Sequence, residues 1–496
     1  MSERAQELIE WNLKIKSPVL DLGNCALDGT EVELYRLLSD AHHLKKINFA
    51  SSWGEAYLSR GEWVFKETLN YEKENVLIQI PEGLPASLKS LVLYEMGMSD
   101  DKPMFQDLTP LMKLTNLQAL ILSVKIAEGT DLTPLSHLTA LKALDLTGNF
   151  LNDIEFISPL KQIQMLALWE CNITDIGPLQ HLKKLRTLDL RDNNINDIAV
   201  LQGLIEMEEL LCWNNQISDI SPLTGLTKLH TLGLNSTSVT DVTPLKGLHH
   251  LRILNLEYTD VEDLSPLENL KKLDQLNISR TNTTQLSFLE GLNQLSELSA
   301  EGNAIQELSA LRYLKKLKKL ELSNNQIKDI SPLKELKALK ALSMGHNKLQ
   351  DITSMSNLTE LAWLGLNEND IRDLAPLANL KSLSSLEVKD CPITDYKVLK
   401  GIPHLKHLQV SLNAFPFPPI WYVRLQSNRY QDRHFAEFAD LDELPFVEKI
   451  WRLLYSDDLA NRELAHQLAV SQGWNEKDFN LYRQLAIDGR ISSWNY

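Results

Sequence analysis

Residues 215–234 read NQISDISPLTGLTKLHTLGL, and this stretch decides the fold of the chain. The same pattern returns every 22 residues, in thirteen consecutive units that stay in phase from Leu141 to Asn413. One column, which begins at Asn149, holds only Asn, Cys or Thr, and a leucine stands five residues before each of its members. A period of this length, sustained over so many units, indicates a solenoid of stacked repeats.

Each repeat is predicted to contribute one short strand and one tight turn. Two leucines separated by one residue, such as Leu188 and Leu190, can share the buried face of a strand because successive side chains point to opposite faces. The Asn, Cys or Thr that follows can bond backbone groups buried where the chain leaves the strand. Segments such as DISPL at 219–223 place an acid just before a proline, which is typical of the N-terminus of a 3₁₀ turn, with the acid as N-cap.

A single repeat buries too few apolar side chains to offset the ordering of its own backbone, so stability must come from stacking. The predicted fold is therefore an α/β repeat solenoid: a horseshoe or arc with a parallel concave sheet, 3₁₀ turns on the convex side and helical caps. The repeats also extend backwards with interruptions: Leu117, Leu120 and Leu122 begin a repeat two residues out of phase, and Leu88, Leu91 and Leu93 begin one with a longer insertion.

We predict three regions along the chain. Residues 1–85 hold an N-terminal cap, the first irregular repeats and an aromatic insertion; residues 86–414 hold the leucine repeats; residues 415–496 form a C-terminal helical cap. Residues 1–16 read as a helix that offers Leu8, Ile9, Trp11 and Leu13 to cover the first strand, whereas residues 53–80 fit no repeat. The alternative for the C-terminal helices is an independent module.

Composition limits the kinds of partner and the cellular location expected for the chain. A net charge of -16 and a pI near 5.3 argue against nucleic acid and anionic membranes as partners. No apolar run approaches the ~20 residues of a bilayer span, and Glu3, Arg4, Glu7 and Glu10 make the first residues unlike a signal peptide. We therefore expect a cytoplasmic protein. The four cysteines lie far apart in the predicted repeats, which favours separate buried thiols over disulfides or a metal site, and no cofactor is predicted.

The unit NxIxDIxPLxxLxxLxxLxL resembles the 22-residue class of leucine-rich repeat. This class occurs in bacterial internalin-like proteins, in the leucine-rich regions of bacterial Roco proteins and in a regulatory subunit of type-1 protein phosphatase. The resemblance implies a bacterial protein that recognises another protein on its concave face. The chain departs from these relatives in three respects: it lacks the export and wall-sorting signals of internalins, the GxxxxGK[ST] loop of Roco GTPases, and any cysteine after Cys391 of the kind that leucine-rich ubiquitin ligases use.

The predicted concave columns are normally filled by small or charged residues, but three successive strands of one column hold Trp169, Arg191 and Trp213. Strands about 4.8 Å apart would place the guanidinium about 5 Å from each indole, close enough for cation-π stacking. Farther along, Gly345, Gly365, Ser343 and Ser323 leave the face nearly bare around one tryptophan. The predicted partner-binding residues are Trp169, Arg191, Leu211, Trp213, Glu257, Tyr258 and Trp363.

Acidic residues border this aromatic zone and favour a partner with a basic or mixed surface. They are Asp145, Glu170, Asp189, Asp192, Glu209 and Glu257. We predict a non-catalytic scaffold or adaptor that binds a protein, not an enzyme. Two alternatives stay open: a hydrolase that uses the concave carboxylates of Glu297, Glu301 and Glu321 as an acid pair, and a purely structural spacer. The sequence does not identify the partner, the pathway or the oligomeric state.

Overall fold

A computed structural model describes most of the repeat region and parts of both ends. The described residues are 3–39, 41–50, 52–53, 58–59, 62–63, 66–67, 75, 77–94, 104–151, 153–393, 395–410, 465–470 and 480. The chain divides into two compact units, Met1–Thr281 (unit 1) and Asn282–Tyr496 (unit 2).

Unit 1 begins with two helices, α1 (Glu3–Ile15) and α2 (Val32–Arg36). Its strands are β1 (Val19–Asp21), β2 (Lys46–Asn48), β3 (Ser52–Trp53), β4 (Leu58–Ser59), β5 (Glu62–Trp63), β6 (Lys66–Glu67), β7 (Ser90–Tyr94), β8 (Ala119–Ser123), β9 (Ala143–Asp145), β10 (Met165–Ala167), β11 (Thr187–Asp189), β12 (Glu209–Leu211), β13 (Thr231–Gly233), β14 (Ile253–Asn255) and β15 (Gln275–Asn277). All of them except β3 to β6 form a parallel sheet in which each strand pairs with the strand of the next repeat. The short strands pair antiparallel, β3 with β6 and β4 with β5.

Unit 2 repeats the same arrangement. Its strands are β16 (Glu297–Ser299), β17 (Lys319–Glu321), β18 (Ala341–Ser343), β19 (Trp363–Gly365), β20 (Ser385–Glu387) and β21 (His407–Gln409). They pair in parallel and in sequence order. A short helical segment also lies at 465–470, with Ala465 and Ala469 buried.

The expected tight turns follow the strands in both units. In unit 1 the 3₁₀ turns are Thr109–Lys113, Thr133–His137, Glu155–Ile157, Gly177–His181, Ala199–Gly203, Ser221–Gly225, Thr243–Gly247 and Ser265–Leu267. In unit 2 they are Ser287–Gly291, Ser309–Tyr313, Ser331–Glu335, Thr353–Asn357, Ala375–Asn379 and Lys397–Gly401. The central leucines of the strands pair in register, as in Leu188 with Leu210 and Leu320 with Leu342, and all four are fully buried. The predicted fold class, a parallel repeat sheet joined by 3₁₀ turns, is confirmed.

The Asn column forms a hydrogen-bonded ladder, as its chemistry predicts. The side-chain oxygen of Asn193 accepts the backbone N–H groups of Cys171 and Ile173, at 3.1 and 2.9 Å. Its amide nitrogen donates to the carbonyls of Leu168 and Leu190, at 2.8 and 2.9 Å. Each such Asn therefore satisfies backbone groups of two neighbouring repeats inside the core, where leaving them unpaired would be costly.

The aspartates before the 3₁₀ turns differ in detail from the prediction. Asp219 lies one residue before the N-cap position, Ile220, and its carboxylate accepts the N–H of Ser221 at 2.8 Å. The acid therefore closes a local Asx turn and is not itself the N-cap residue. The proline expected just inside the turn is present at the first or second position, as in Pro222.

The prediction that residues 53–80 fit no repeat is wrong for the end of that stretch. The side-chain oxygen of Asn75 accepts the N–H groups of Cys25 and Leu27, and its amide nitrogen donates to the carbonyls of Leu22 and Phe49. These are the bonds that Asn193 makes in a regular repeat. The chain thus leaves the ladder after β2 and returns to it at Asn75, so the insertion lies inside the second repeat, before its ladder residue.

The N-terminal helix is confirmed, but the residues it buries differ from those predicted. α1 contacts β1, and its buried residues are Ala5, Ile9 and Asn12. Trp11 is 60% exposed, because it lies on the opposite side of the helix from Ile9 and Asn12. The amide nitrogen of Asn12 donates to the carbonyls of Ser17 and Val19, which anchors the helix to the first strand. The predicted C-terminal cap, apart from 465–470 and 480, lies outside the described residues.

Candidate protein-binding face

One face of each sheet points away from the leucine core, and we call it the open sheet face. In the repeats of β9 to β20, whose strands are three residues long, it is formed by the first and third residues of the strand and by the residue two positions after the strand. On β12 these are Glu209, Leu211 and Trp213. The predicted binding residues belong to this face except Tyr258, which lies three positions after β14, just before Thr259 of the ladder column.

In unit 1 the predicted aromatic stack is present on three neighbouring strands. The guanidinium carbon of Arg191 lies 4.4 Å from the ring centroid of Trp169 and 4.6 Å from that of Trp213. Both distances are within the range of cation-π contacts, so the predicted geometry is confirmed. Both indoles are half-buried, so each retains an accessible edge.

The stack is anchored from below by an ion pair. The guanidinium of Arg191 donates to both carboxylate oxygens of Asp189, at 2.6 to 2.8 Å. Arg191 is 7% exposed and Asp189 is 2% exposed. Burial raises the pKa of Asp189, while the hydrogen bonds and charge of Arg191 act in the opposite direction. Arg191 was predicted as a contact residue, but it is placed to hold the two indoles and offers little surface of its own.

A second set of hydrogen bonds fixes the indole of Trp169 through its N–H group. The indole N–H of Trp169 donates to the carboxylate of Asp192 at 2.7 Å, and the Asn214 amide donates to the same carboxylate at 2.5 Å. Asp192 and Asn214 both adopt a left-handed backbone, with φ of 52° and 53°. This conformation recurs immediately before the ladder residue in most repeats and is favoured by Asn, Asp and Gly.

Gly233 explains how Trp213 lies flat on the sheet. A Cβ atom at this position would stand 3.0 Å from Cε3 of Trp213 and 3.3 Å from Cδ2 of Leu211. The absence of a side chain on β13 therefore makes room for the indole of β12. Neither Gly233 nor Asp192 was predicted as a site residue, although the 22-residue register does place both beside the stack.

The other predicted contacts in unit 1 differ in accessibility. Leu211 is only 4% exposed, so it offers little surface for contact although it belongs to the open sheet face. Glu257 is half-buried and accepts a hydrogen bond from the amide of Asn277 at 3.0 Å. Tyr258 is 52% exposed and has a left-handed φ of 56°, with the guanidinium carbon of Arg280 4.9 Å from its ring centroid. Tyr258 and Arg280 thus form a second, more exposed cation-π pair. Whether these residues bind a partner remains a prediction.

Three of the acids predicted to border the aromatic zone are buried within it. Asp145, Asp189 and Glu209 are 2%, 2% and 5% exposed. Burial raises the pKa of Asp145 to about 6, although hydrogen bonds from Thr147 act to lower it. Burial, followed by the charge of Asp189, raises the pKa of Glu209 to about 7, against the opposite effect of Arg191. This part of the open sheet face is therefore not a solvated acidic rim but a set of desolvated carboxyl groups.

Trp363 lies on β19 in unit 2, among small residues as predicted. A Cβ atom on Gly365 would stand 2.8 Å from the ring of Trp363, so this glycine makes room for the indole. The hydroxyls of Ser323 and Ser343 share a hydrogen bond of 2.7 Å. Trp363 is half-buried and belongs to a different unit from the Trp169–Arg191–Trp213 stack.

Two of the three carboxylates of the hydrolase alternative are engaged in hydrogen bonds or ion pairs. Glu321 forms an ion pair with Lys319 at 2.8 Å and accepts the hydroxyl of Ser299 at 2.7 Å. Burial acts to raise its pKa, but these two hydrogen bonds outweigh burial and the pKa is lowered. Glu301 accepts an amide hydrogen bond from Asn324. A lowered pKa does not suit a general acid at neutral pH.

Within the described part of the chain, no grouping of His, Cys, Asp and Glu side chains is suited to holding a metal ion. Cys25, Cys171 and Cys212 are buried and Cys391 is half-buried, and none of these four forms a disulfide within the described part of the chain. None of the described helices has the length and apolar content that a membrane crossing requires.

Comparison with known proteins agrees with this architecture. The family model described as leucine-rich repeats (2 copies) matches residues 161–203, 205–247, 293–335 and 315–360. An internalin (inlF) of Listeria monocytogenes is 34% identical, with 60% of this chain and 88% of the internalin covered and a TM-score of 0.58. No curated protein matches the chain in sequence. The chain belongs to the bacterial-like leucine-rich repeat proteins.

More distant structures share the fold. A leucine-rich repeat protein of Leptospira interrogans is 21% identical over 80% of this chain and 97% of its own, with a TM-score of 0.57. The ectodomain of the receptor kinase GASSHO1/SCHENGEN3 of Arabidopsis thaliana, in complex with CASPARIAN STRIP INTEGRITY FACTOR 2, is 20% identical over 84% of this chain and 53% of its own, with a TM-score of 0.55.

Proposed function

We propose that this chain is a non-catalytic scaffold or adaptor that binds a protein partner across the open sheet face of unit 1. The observation that carries the proposal is the stack in which Arg191 lies between the indoles of Trp169 and Trp213. Each indole keeps an accessible edge, and the stack is fixed by the ion pair to Asp189 and by the bond to Asp192.

Such a surface has the physical properties of a binding hot spot. Tryptophan contributes a large contact area, and contiguous aromatic surface on a soluble protein commonly marks an interface. Rigid side chains also lose little conformational entropy when a partner binds, so more of the contact energy appears as affinity. The exposed Tyr258 and its neighbour Arg280 extend the aromatic surface toward β14 and β15.

The partner is proposed to be a protein with a basic or mixed surface. The net charge of -16 favours encounter with a basic partner. Leucine-rich repeat proteins are commonly interaction scaffolds, and the Arabidopsis receptor of the same fold was solved in complex with CASPARIAN STRIP INTEGRITY FACTOR 2. A cytoplasmic location, a bacterial source and the absence of catalysis stay predictions from the sequence.

Affinity capture with the full chain, followed by a binding measurement on the purified partner, tests this proposal. Trp213→Ala should weaken binding by about 2 kcal/mol, or roughly 30-fold, because a central indole is removed. Tyr313→Ala is the control, because it removes an exposed ring from a 3₁₀ turn of unit 2, and it should leave the affinity unchanged. Trp363→Ala measures whether the predicted contact in unit 2 also contributes. Circular dichroism of each variant establishes that it is folded.

Four outcomes would contradict the proposal. Equal binding by Trp213→Ala and the parent would exclude the stack from the interface. Loss of binding in Trp363→Ala alone would move the interface to unit 2. Capture of no stoichiometric partner would favour the structural spacer, while turnover of a generic ester or glycoside substrate by the purified chain would favour the hydrolase.

A further inference from the structure

Glu209 is a buried acid with an unsatisfied oxygen on the open sheet face. It lies on β12, in register with Thr187 of β11 and Thr231 of β13. Its residue exposure is 5%, and its Oε1 atom is buried with no hydrogen-bond partner among the described residues. Buried polar atoms in folded proteins are normally paired, and a carboxylate without a partner is among the most costly groups to bury.

The charged groups that act on Glu209 are already paired with each other. Asp189 and Arg191 form an ion pair, so together they bring no net charge to Glu209. On the neighbouring strand, the ring of His230 shares a hydrogen bond with the hydroxyl of Thr231, at 3.0 Å. The buried Oε1 atom of Glu209 therefore lacks a hydrogen-bond donor among the described residues.

We infer that the partner protein supplies a Lys or Arg side chain that pairs with the Glu209 carboxylate, four residues before Trp213 on the same open sheet face. This inference rests on the proposed function and names the chemistry of one partner residue. A cationic head group provides the missing donors, and its methylene stem can pack on apolar surface of this face. A single carboxylate suits an organic cation, since a metal ion would require a cluster of ligands.

The test uses N-acetyl-lysine methylamide and N-acetyl-arginine methylamide as probes, with N-acetyl-norleucine methylamide as the uncharged control. The full chain is labelled with ¹³C at glutamate side-chain carboxyls, and the Glu209 signal is identified by its absence in Glu209→Gln. Binding of a cation favours the ionised carboxyl, so a cationic probe should lower the titration midpoint of Glu209 by about one pH unit, equivalent to about tenfold tighter binding to the ionised form. Norleucine should leave the midpoint unchanged.

Glu297→Gln is the matched variant, because Glu297 occupies the same strand position on β16 of unit 2 and is only half-buried. It should bind both cationic probes as the parent does, whereas Glu209→Gln should lose the binding. An unchanged Glu209 midpoint with both cations, or equal probe binding by Glu209→Gln and the parent, would overturn the inference.

The two proposals fail separately. Suppose that Trp213→Ala loses partner binding but the titration midpoint of Glu209 is unchanged by both cationic probes. This result would leave the proposed function intact and overturn the pairing with Glu209. A Glu209 response to the cations in a chain whose partner binding survives Trp213→Ala would support the cation site and overturn the proposed interface.

Discussion

The open sheet faces of units 1 and 2 differ in their side chains although their strands have the same backbone arrangement. The strands of both are three residues long over β9–β21, and their central leucines are fully or almost fully buried. In the column two residues after the strand, unit 1 places Trp169, Arg191 and Trp213, whereas unit 2 places Glu301, Ser323 and Gly345. The difference teaches that the 22-residue period determines the leucine side of each strand and leaves the open side free to vary.

The ion pairs of the two faces show the same contrast. The side chains of Arg191 and Asp189 are 9% and 2% exposed, while those of Lys319 and Glu321 are 48% and 33% exposed. A buried pair and an exposed pair respond very differently when one partner is removed. The comparison between the units can therefore be tested by matched substitutions.

The largest effect is expected from Arg191→Met, which leaves the Asp189 carboxylate buried without its partner. We expect the free energy of unfolding to fall by about 3–5 kcal/mol, measured by urea denaturation. Lys319→Met in unit 2 is the matched control and should change it by less than about 1 kcal/mol. The double variant Asp189→Leu with Arg191→Met should recover much of the loss. Equal effects of the two single substitutions would remove the distinction between the faces.

Substitution of a buried leucine should destabilise both units by a similar amount. Leu210→Ala and Leu342→Ala each remove a fully buried side chain from the centre of a strand. Each should reduce the free energy of unfolding by about 2–5 kcal/mol, from lost burial and the cavity left behind. A clear loss in one unit and none in the other would show that the two cores are not equivalent.

The stability of unit 1 should depend on the ionisation of Glu209. Its pKa is raised from 4.5 to about 7, so its protonated form favours the folded state. That contribution is fully present below about pH 4.5 and is lost as the pH rises through about 7. Glu209→Gln stays neutral, so it should gain about 1–3 kcal/mol of stability relative to the parent between about pH 4 and pH 8.

Denaturant unfolding of Glu209→Gln and the parent at the two pH values measures this gain. Subtracting the stability change at the lower pH from that at the higher pH removes any pH-independent effect of the amide. Glu297→Gln on β16, at the same strand position but half-buried, provides the control for the Glu to Gln substitution. Asp145, whose pKa is raised to about 6, should leave the Glu209→Gln variant with some remaining pH dependence of the same sign. A pH-independent effect of Glu209→Gln would contradict the prediction.

The smallest effect concerns the Asx turns, which unit 2 lacks in two repeats. Asp219 of unit 1 bonds the N–H of Ser221, whereas Gln285 and Glu307 occupy the corresponding positions before Ser287 and Ser309. Asp219→Ala should cost about 1 kcal/mol, and Gln285→Asp should stabilise unit 2 by about 0.5 kcal/mol. Thermal melting of both variants checks the pair, and a loss of stability in Gln285→Asp would count against the local turn as the cause.

The sequence predicts the regular parts of this molecule well because they depend on local, periodic chemistry. Leucines spaced as in Leu188 and Leu190 specify a strand with one apolar face, and Asn193 has the donors and acceptor that the ladder requires. The same register places Trp169, Arg191 and Trp213 within stacking distance. These features follow from strand alternation and the distance between neighbouring strands.

The burial of individual side chains on the open sheet face cannot be predicted in this way, because it depends on how neighbouring side chains pack over one another. Alternation places Asp189 and Glu209 on the open sheet face, but it does not reveal that larger neighbours desolvate them. The strand register also does not predict that Arg191 pairs with Asp189 and is buried as a result. Similarly, the left-handed backbone at Tyr258 has no signal in the tyrosine itself, since it is imposed by the repeat and disfavoured for a bulky residue.

The position of Asn75 has a consequence for the order in which the repeats assemble. Its ladder bonds reach back 50 residues to Cys25, whereas those of Asn193 reach back 22 residues to Cys171. Closing the longer loop costs about 0.7 kcal/mol more in chain entropy, and non-local contacts slow folding. Nucleation should therefore begin among the regular repeats and spread toward the N-terminus, with the amides of Cys25 and Leu27 gaining protection from hydrogen exchange after those of Cys171 and Ile173.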